Sequence, residues 1–250
     1  MQYQIVKDSE EMGRAAADIF SQQIAAKPAC VLGLATGSTP LPLYAELVKR
    51  SRAGKADFSQ VRTVNLDEYV GLGPNHPQSY RFFMQQNLFD HIPVKPENTS
   101  LPDGLSTDLT AECRCYDARI AAWGGIDLQL LGIGHNGHIG FNEPGTVFTL
   151  KTHAVRIAER TRMANARFFG DDPNQVPSRA ITMGIGNIMS ARKIVLLVSG
   201  ESKAKIVQRA FFEDVTPEVP ASVLQLHQDV TIIADREAAS CIEMKLLEVI

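Results

Sequence analysis

Short apolar runs alternate with amphipathic helical patterns along most of this chain. The apolar runs have the length of strands and lie at 30–35, 61–66, 126–131, 194–198 and 230–234. Elsewhere apolar residues recur every three or four positions, which predicts helices at 10–25, 41–52, 80–89, 109–122, 202–212 and 237–247. Such alternation is typical of right-handed βαβ units. It predicts an α/β fold with a mainly parallel sheet and helices on both faces.

The 250 residues fit one domain of this class, and no repeat or low-complexity linker divides them. We therefore expect residues 1–250 to form a single domain. Ligands of such sheets bind at the carboxyl ends of the strands, so the loops that follow the predicted strands are where functional residues are expected.

Charge and composition narrow the function classes. A formal charge of −3 and a pI near 6.1 provide no long-range attraction for nucleic acid or anionic membranes, so neither is expected as a partner. The chain lacks a basic start followed by an apolar segment, and no window approaches the ~20 apolar residues of a membrane-spanning helix. These features predict a cytoplasmic protein. The cysteines lack the spacing of redox or zinc pairs and are expected to be free thiols: Cys30, Cys113, Cys115 and Cys241.

The strongest chemical signal is the segment LGIGHNGHIGFNEPG at 131–145. Its glycines permit sharp turns and close backbone approach directly after a predicted strand, so His135, Asn136, His138 and Glu143 can converge on a bound molecule. A metal site is the alternative interpretation. The Asn-Gly pair between the histidines favours a turn, however, and no HExxH spacing is present. We expect instead that Glu143 orients His138 as an acid–base group.

A second segment, GLATGSTP at 33–40, lies where a predicted strand turns into a helix. The backbone N–H groups around Gly37, the hydroxyls of Ser38 and Thr39 and the positive end of the helix suit a phosphate. The segment is neither a Walker A loop nor GxGxxG, which argues against nucleoside triphosphates and dinucleotides. The alternative is an ordinary N-capped helix that uses the same N–H groups.

Charged residues supply further candidates. Asp67 and Glu68 follow a predicted strand, where Asp67 is placed to enter a ligand pocket and Glu68 to start a turn or pair with a neighbour; helix capping is the alternative role. Arg167 and Lys203 are candidates to neutralise a phosphate, although solvated surface is the usual role of such residues. Arg167 lies in a basic and aromatic stretch rich in turn residues at about 155–180, which we expect to be a mobile flap that closes on substrate.

Five segments together carry a family pattern: GLATGSTP at 33–40, NLDEYVGL at 65–72, GIGHNGHIGFNEPG at 132–145, RMANARFF at 162–169 and NQVPSRAITMG at 174–184. In this order they resemble the glucosamine-6-phosphate deaminases, and the match covers nearly the whole chain. The resemblance implies a Rossmann-like, cytoplasmic hydrolase of amino-sugar catabolism. Such an enzyme converts glucosamine 6-phosphate and water into fructose 6-phosphate and ammonia, with no metal or organic cofactor.

The resemblance also implies roles for individual residues. Asp67 is the base that moves a proton from carbon 2 to carbon 1, and His138 opens the sugar ring. Glu143 orients His138 and stabilises its charged form, while Asn136 holds the imidazole or the substrate by a hydrogen bond. Burial of Asp67 against its apolar neighbours is expected to raise its pKa above the usual ~3.9. The phosphate site of the family maps onto Gly37, Ser38, Thr39, Arg167 and Lys203.

Two departures from the family pattern bear on mechanism and regulation. Some members have Asp where this chain has Asn136, so Glu143 must provide more of the stabilisation of an imidazolium. Members activated by an N-acetylated amino-sugar phosphate have an Arg and a Lys two residues apart after FNEP, where this chain has His153 and Val155. We therefore do not expect this activation. Because it accompanies a hexamer, we expect a monomer or a small homo-oligomer.

Two other functions share some of these features. The 6-phosphogluconolactonases resemble the same fold and use a glycine-rich phosphate loop with a general-base histidine, but the DEYVGL and FNEPG segments argue against them. A sugar-phosphate-sensing domain of a transcription regulator needs a DNA-reading helix-turn-helix and a basic face, whereas this chain is acidic.

Overall fold

The computed structural model describes residues 1–242, with a seven-stranded sheet at the centre. In chain order the strands are β1 (Gln2–Val6), β2 (Val31–Leu34), β3 (Arg62–Asn65), β4 (Asp67–Tyr69), β5 (Thr99–Ser100), β6 (Leu128–Gly132), β7 (His153–Arg156), β8 (Arg179–Thr182), β9 (Lys193–Val198) and β10 (Val230–Asp235). The α-helices are α1 (Ser9–Ala26), α2 (Leu41–Arg52), α3 (Tyr80–Asn87), α4 (Leu109–Ala122), α5 (Glu159–Asn165), α6 (Ile185–Met189), α7 (Ala204–Phe212) and α8 (Arg236–Ala239). Short 3-10 helices lie at Phe89–His91, Pro96–Asn98, Ala166–Phe168, Glu201–Lys203 and Pro220–Leu226.

The central sheet has the order β1-β10-β9-β6-β2-β3-β5, and its pairs are parallel. This confirms the predicted α/β class and the mainly parallel sheet. The chain runs outward from β2 through β3 to β5 and then returns to the other side of β2 with β6. Right-handed crossovers in these opposite directions place helices on both faces. The carboxyl ends of β2 and β6 therefore flank a topological switch point, where such sheets bind ligands.

Burial explains which strands the sequence reveals. The central strands β2, β6 and β9 are buried along almost their whole length, so their sequences are continuous apolar runs. The edge strand β1 is mostly exposed and β5 has only two residues, and neither gives a recognisable pattern. No helix within residues 1–242 combines the length and the apolar character needed to cross a membrane.

A second, antiparallel sheet with the order β4-β8-β7 was not predicted. Its strands have three or four residues, which is too short for the alternation of apolar and polar positions to stand out. Asp67 pairs with Thr182, and Thr182 pairs in turn with His153. The ends of the stretch expected to form a flap, 155–180, are thus strand residues, and the segment between them contains α5.

The predicted helices at 41–52 and 109–122 are confirmed to the residue. The helix predicted at 80–89 ends at Asn87 and continues as a 3-10 turn, and the one predicted at 202–212 begins with a 3-10 turn. Of the helix predicted at 237–247, α8 covers the start, and residues 243–247 lie outside the described part of the chain. The four cysteines are free thiols, as expected.

Candidate active site

A cleft of about 560 Å³ opens at the switch point between β2 and β6. The loop that follows β2 contributes Gly37, Ser38 and Thr39 to its wall, and Asp67 lies two residues after the end of the neighbouring strand β3. The loop after β6 contributes His138. Residues more than 60 positions apart in the chain therefore face one cavity, because parallel strands end at the same edge of the sheet.

Asp67 begins β4, directly after β3, and its side chain is almost completely enclosed, with 7% of the residue exposed. Burial, together with the neighbouring charge of Glu68, raises its pKa to about 8. Removal from water disfavours the ionised form of a carboxyl group, so this carboxylate binds a proton much more strongly than an ordinary aspartate. Burial thus raises the pKa of the Asp67 carboxyl group, in the direction expected from its apolar neighbours.

Glu68 has a different role from its neighbour. Its carboxylate accepts hydrogen bonds from the backbone N–H groups of Tyr69, Tyr80 and Arg81 at 2.8–2.9 Å. Two of these donors are the first residues of α3, so Glu68 ties the N-terminus of this helix to β4. Burial raises the pKa of Glu68 even though the three N–H groups act in the opposite direction. Of the two adjacent acids, only Asp67 lines the cleft.

The glycines of the 131–145 loop bring His138 into the cleft. A Cβ atom on Gly134 would lie 2.2 Å from Cε1 of His138, so the imidazole packs directly on the glycine backbone. Gly140 has φ +58°, and a Cβ there would lie 2.9 Å from Oγ1 of Thr182 and 3.4 Å from Oδ2 of Asp67. The loop thereby approaches the strand of Asp67 as closely as only a glycine allows.

His138 and Glu143 form the predicted pair. Nδ1 of His138 lies 3.5 Å from Oε2 of Glu143, and Nδ1 has no other polar partner among the described residues. Asn136 donates from Nδ2 to Oε2 of Glu143 at 2.6 Å, and Thr161 donates from Oγ1 to Oε1 at 2.6 Å. Burial opposes the ionisation of Glu143, but the contacts with His138, Thr161 and Asn136 outweigh it and lower its pKa to about 2. Glu143 is therefore an anion at every physiological pH.

Of the two roles expected for Asn136, a hydrogen bond to the imidazole is not present, and a hydrogen bond to the substrate stays a prediction. Its amide does not bind the imidazole of His138; it binds the carboxylate of Glu143, and its Oδ1 accepts the backbone N–H of His138 at 3.2 Å. Because an amide carries no charge, it fixes the position of the carboxylate and of the loop without competing for a proton. Asn136 also lines the cleft, where it can reach a bound molecule.

The loop after β2 has the properties of an anion site. Gly37 has φ +96°, and no side chain caps the N-terminus of α2. The alternative of an N-capped helix, in which a side chain satisfies these N–H groups, therefore does not describe this turn. Backbone N–H groups in the turn at 37–39, together with the positive end of α2, suit a phosphate.

Positive charges from two further segments reach the same cleft. Lys203 follows β9, and its Nζ donates to the carbonyl oxygen of Ile133 at 2.7 Å. Burial and the nearby charge of Arg167 lower the pKa of Lys203 to about 8. Arg167 lines the cleft with its guanidinium 4.7 Å from the ring of Phe168. Both predicted basic residues thus line the same cleft as the loop at 37–39.

Several lining residues were missed by the sequence analysis. Tyr69 and Tyr80 pack with ring centroids 4.7 Å apart and form one wall, while Arg160 and Asn165 of α5 contribute to another. Thr161, which binds Glu143, was also missed. A signal was present in the spacing of Arg160 and Arg167 on either side of the turn that ends α5. Among residues 1–242 no group of three or more His, Cys, Asp or Glu side chains is arranged to hold a metal ion.

The fold and the site together define an α/β protein with a buried carboxyl group, a histidine–carboxylate pair and a helix N-terminus without a side-chain cap around one cleft. The chain belongs to the family described as glucosamine-6-phosphate isomerases/6-phosphogluconolactonase, whose model matches residues 7–233. The family recognised from the sequence motifs is confirmed.

Within this family, the relatives with about half of their residues identical to this chain are named glucosamine-6-phosphate deaminases. A glucosamine-6-phosphate deaminase from Thermoanaerobacter sp. (strain X514) is 54% identical over 249 residues, 98% of each chain. Another from Geobacillus sp. (strain WCH70) is 56% identical and spans 93% of this chain and 92% of that one. The solved structure of a monomeric glucosamine-6-phosphate deaminase has a TM-score of 0.94 at 47% identity and covers 96% of this chain and 100% of its own. A 6-phosphogluconolactonase from Leishmania guyanensis, at 21% identity and a TM-score of 0.75 over 95% of this chain and 97% of its own, shares the fold.

Proposed function

We propose that this enzyme converts glucosamine 6-phosphate and water into fructose 6-phosphate and ammonia. The observation that carries the proposal is a single cleft that contains a buried carboxyl base, Asp67, and a histidine–carboxylate pair, His138 and Glu143, beside an uncapped helix N-terminus. The curated relatives that match over nearly the whole chain are named for this activity.

The phosphate group fixes the substrate in the cleft. Backbone N–H groups and hydroxyls at Gly37, Ser38 and Thr39 bind its oxygens, and Lys203 and Arg167 neutralise its charge. Because the phosphate lies at one end of the sugar, its position determines where carbons 1 and 2 lie at the other end. This orientation reduces the entropy cost of bringing the reacting atoms to the two proton-transfer groups.

His138 opens the pyranose ring. Its imidazole accepts the proton of the anomeric hydroxyl and returns a proton to the ring oxygen, while the bond from carbon 1 to the ring oxygen breaks and a carbonyl forms at carbon 1. The imidazole is positively charged between the two transfers. Glu143, which remains ionised, stabilises this charge from 3.5 Å, and Asn136 holds Glu143 in place.

Asp67 then moves a proton between neighbouring carbons. Its carboxylate removes the proton from carbon 2 while the carbonyl oxygen at carbon 1 takes up a proton, which gives an enolamine. The carboxyl group then returns its proton to carbon 1, and loss of a proton from the nitrogen leaves an imine at carbon 2. Water hydrolyses the imine to fructose 6-phosphate and ammonia. A carboxyl group with a pKa of about 8 is a far stronger base than an ordinary aspartate, and its conjugate acid still donates near neutral pH.

The segment between β7 and β8 is the proposed flap. It carries Arg160 and Arg167 into the cleft, so movement of α5 opens and closes one wall of the site. We further infer that the protein is a monomer, as the relative of known structure at 47% identity is described to be. The cytoplasmic location and the lack of response to an N-acetylated effector remain predictions.

The test is a direct assay in metal-free buffer. Wild-type protein should release ammonia and fructose 6-phosphate from glucosamine 6-phosphate, and Asp67→Asn should abolish turnover while a substrate analogue still binds. His138→Gln should slow ring opening of the closed sugar. Release of acid from 6-phosphogluconolactone, without release of ammonia from the amino sugar, would replace this proposal with a lactonase function.

A further inference from the structure

Helix α5 supplies a hydrogen bond to the carboxylate of Glu143. Thr161 lies in the first turn of this helix and is only 8% exposed. Its hydroxyl donates to Oε1 of Glu143 at 2.6 Å, and the amide of Asn136 donates to Oε2 at the same distance. Each oxygen of the carboxylate thus has its own donor, so the plane of the carboxylate is fixed from two sides and Oε2 lies 3.5 Å from Nδ1 of His138.

The two donors come from different parts of the fold. Asn136 belongs to the same loop as His138 and Glu143, so its contact is local to the 131–145 segment. Thr161 belongs to α5, and the residue before it in this helix, Arg160, lines the cleft. The hydroxyl of Thr161 is therefore the contact that joins the histidine–carboxylate pair to the proposed flap.

We propose that Thr161 is a positioning residue for the reaction: its hydroxyl keeps the Glu143 carboxylate directed at His138, and so keeps the imidazole in the orientation that ring opening requires. This inference rests on the proposed function. A carboxylate with one remaining hydrogen bond rotates about its last side-chain bond, and Oε2 then spends less time facing the imidazole. The substrate contacts at the phosphate end are untouched, so the effect falls on turnover and leaves binding largely unchanged.

The charged groups around the hydrogen bond between Thr161 and Glu143 determine how the dependence of kcat on pH is interpreted. His138 faces Glu143 directly, Arg160 precedes Thr161 on α5, and Arg167 and Lys203 line the cleft. Thr161 itself does not titrate. Asp67 lies in the same cleft and also titrates, but it is unchanged in a variant at this position, so a difference between the kcat profiles of wild type and variant reports on the histidine–carboxylate pair.

The experiment compares Thr161→Val, which keeps the shape and removes the hydroxyl, with Thr161→Ser, which keeps the hydroxyl. Both are measured beside wild type for release of ammonia from glucosamine 6-phosphate. Binding is measured separately with the acyclic 2-amino-alditol 6-phosphate, which has no ring to open. The matched control is Thr63→Val, because Thr63 is buried at 1% exposure and its hydroxyl has no hydrogen-bond partner among the described residues.

We expect Thr161→Val to lower kcat by about tenfold to a hundredfold, the usual effect of losing one hydrogen bond to a charged group, and to shift the acidic limb of the kcat profile. KM and the affinity for the acyclic analogue should change less than about threefold, and Thr161→Ser should recover most of the turnover.

Three results would overturn the inference: wild-type kinetics in Thr161→Val, equal losses in the Val and Ser variants, or a parallel loss of turnover and analogue affinity. If wild type released no ammonia at all, the proposed function itself would fail.

Discussion

The burial of Asp67 predicts that this proposed catalytic base destabilises the folded protein when it is ionised, and Asp67→Asn measures this cost. In the unfolded chain the carboxyl group has its ordinary pKa of 3.8, whereas in the folded protein the pKa is about 8. Between these two pH values the folded state binds one proton more than the unfolded state. The free energy of unfolding therefore decreases as pH rises, by about 1.4 kcal/mol per pH unit.

At pH 7 this contribution amounts to about 4 kcal/mol, and it vanishes below pH 3.8, where both states are protonated. Asparagine is neutral at every pH, so the variant escapes the penalty. Its amide has to be buried in place of a protonated carboxyl group, which costs about 1–3 kcal/mol if the amide finds no partner, but this cost does not depend on pH. Asp67→Asn should therefore gain stability over wild type from pH 4 to pH 7.

The assay is urea unfolding of both proteins at pH 4, 5, 6, 7 and 8, and the quantity compared is the difference between their free energies of unfolding. The contributions of titrating groups that do not interact with Asp67 cancel, because the two proteins share them; Glu68, whose charge raises the pKa of Asp67, is the neighbour whose titration the substitution also changes. Asp214→Asn, at an exposed position, is the matched substitution without burial. A difference between wild type and Asp67→Asn that stayed constant from pH 4 to pH 8 would refute the argument that Asp67 is held protonated by burial.

Three further predictions concern the walls of the cleft. Burial and the charge of Arg167 lower the pKa of Lys203 to about 8, so the affinity for the acyclic phosphate analogue should fall between pH 7 and pH 9. Lys203→Arg should show a smaller fall in affinity over this range. Equal falls in wild type and variant would contradict a role for the charge of Lys203. Gly134→Ala should lower kcat by tenfold or more, because the added Cβ would lie 2.2 Å from the imidazole of His138. The control is Gly73→Ala, whose added Cβ meets only the end of a leucine side chain at 3.4 Å and which should keep the wild-type kcat. Amide hydrogen exchange at 157–178 should slow when the analogue binds, with α1 unchanged, and equal exchange with and without the analogue would argue against a flap.

The sequence predicted the central sheet well because its strands are buried on both faces. An uninterrupted apolar run such as that of β9 has no other common explanation in a chain of this composition. It predicted the small antiparallel sheet poorly, since β4, β7 and β8 are short and the pairing of β4 with β8 joins positions more than 100 residues apart. Local patterns carry no information about contacts of that range, and His153 gave no sign that it lies in register with Thr182.

The contrast between the central parallel sheet and contacts between distant short segments also explains which site residues were predicted and which were missed. Asp67, His138 and Lys203 each follow a strand of the central sheet, so the parallel arrangement alone brings them to one edge. Thr161 follows no such strand; it reaches Glu143 because β7 and β8 carry the intervening segment back over the 131–145 loop. Residues placed by the sheet topology were therefore predictable from the parallel arrangement, whereas Thr161, placed by packing of the segment between β7 and β8, was not, and the family resemblance was needed to favour a site role for Arg167 of that segment. The kinetics of Thr161→Val test whether that packing contributes to the chemistry or only to the fold.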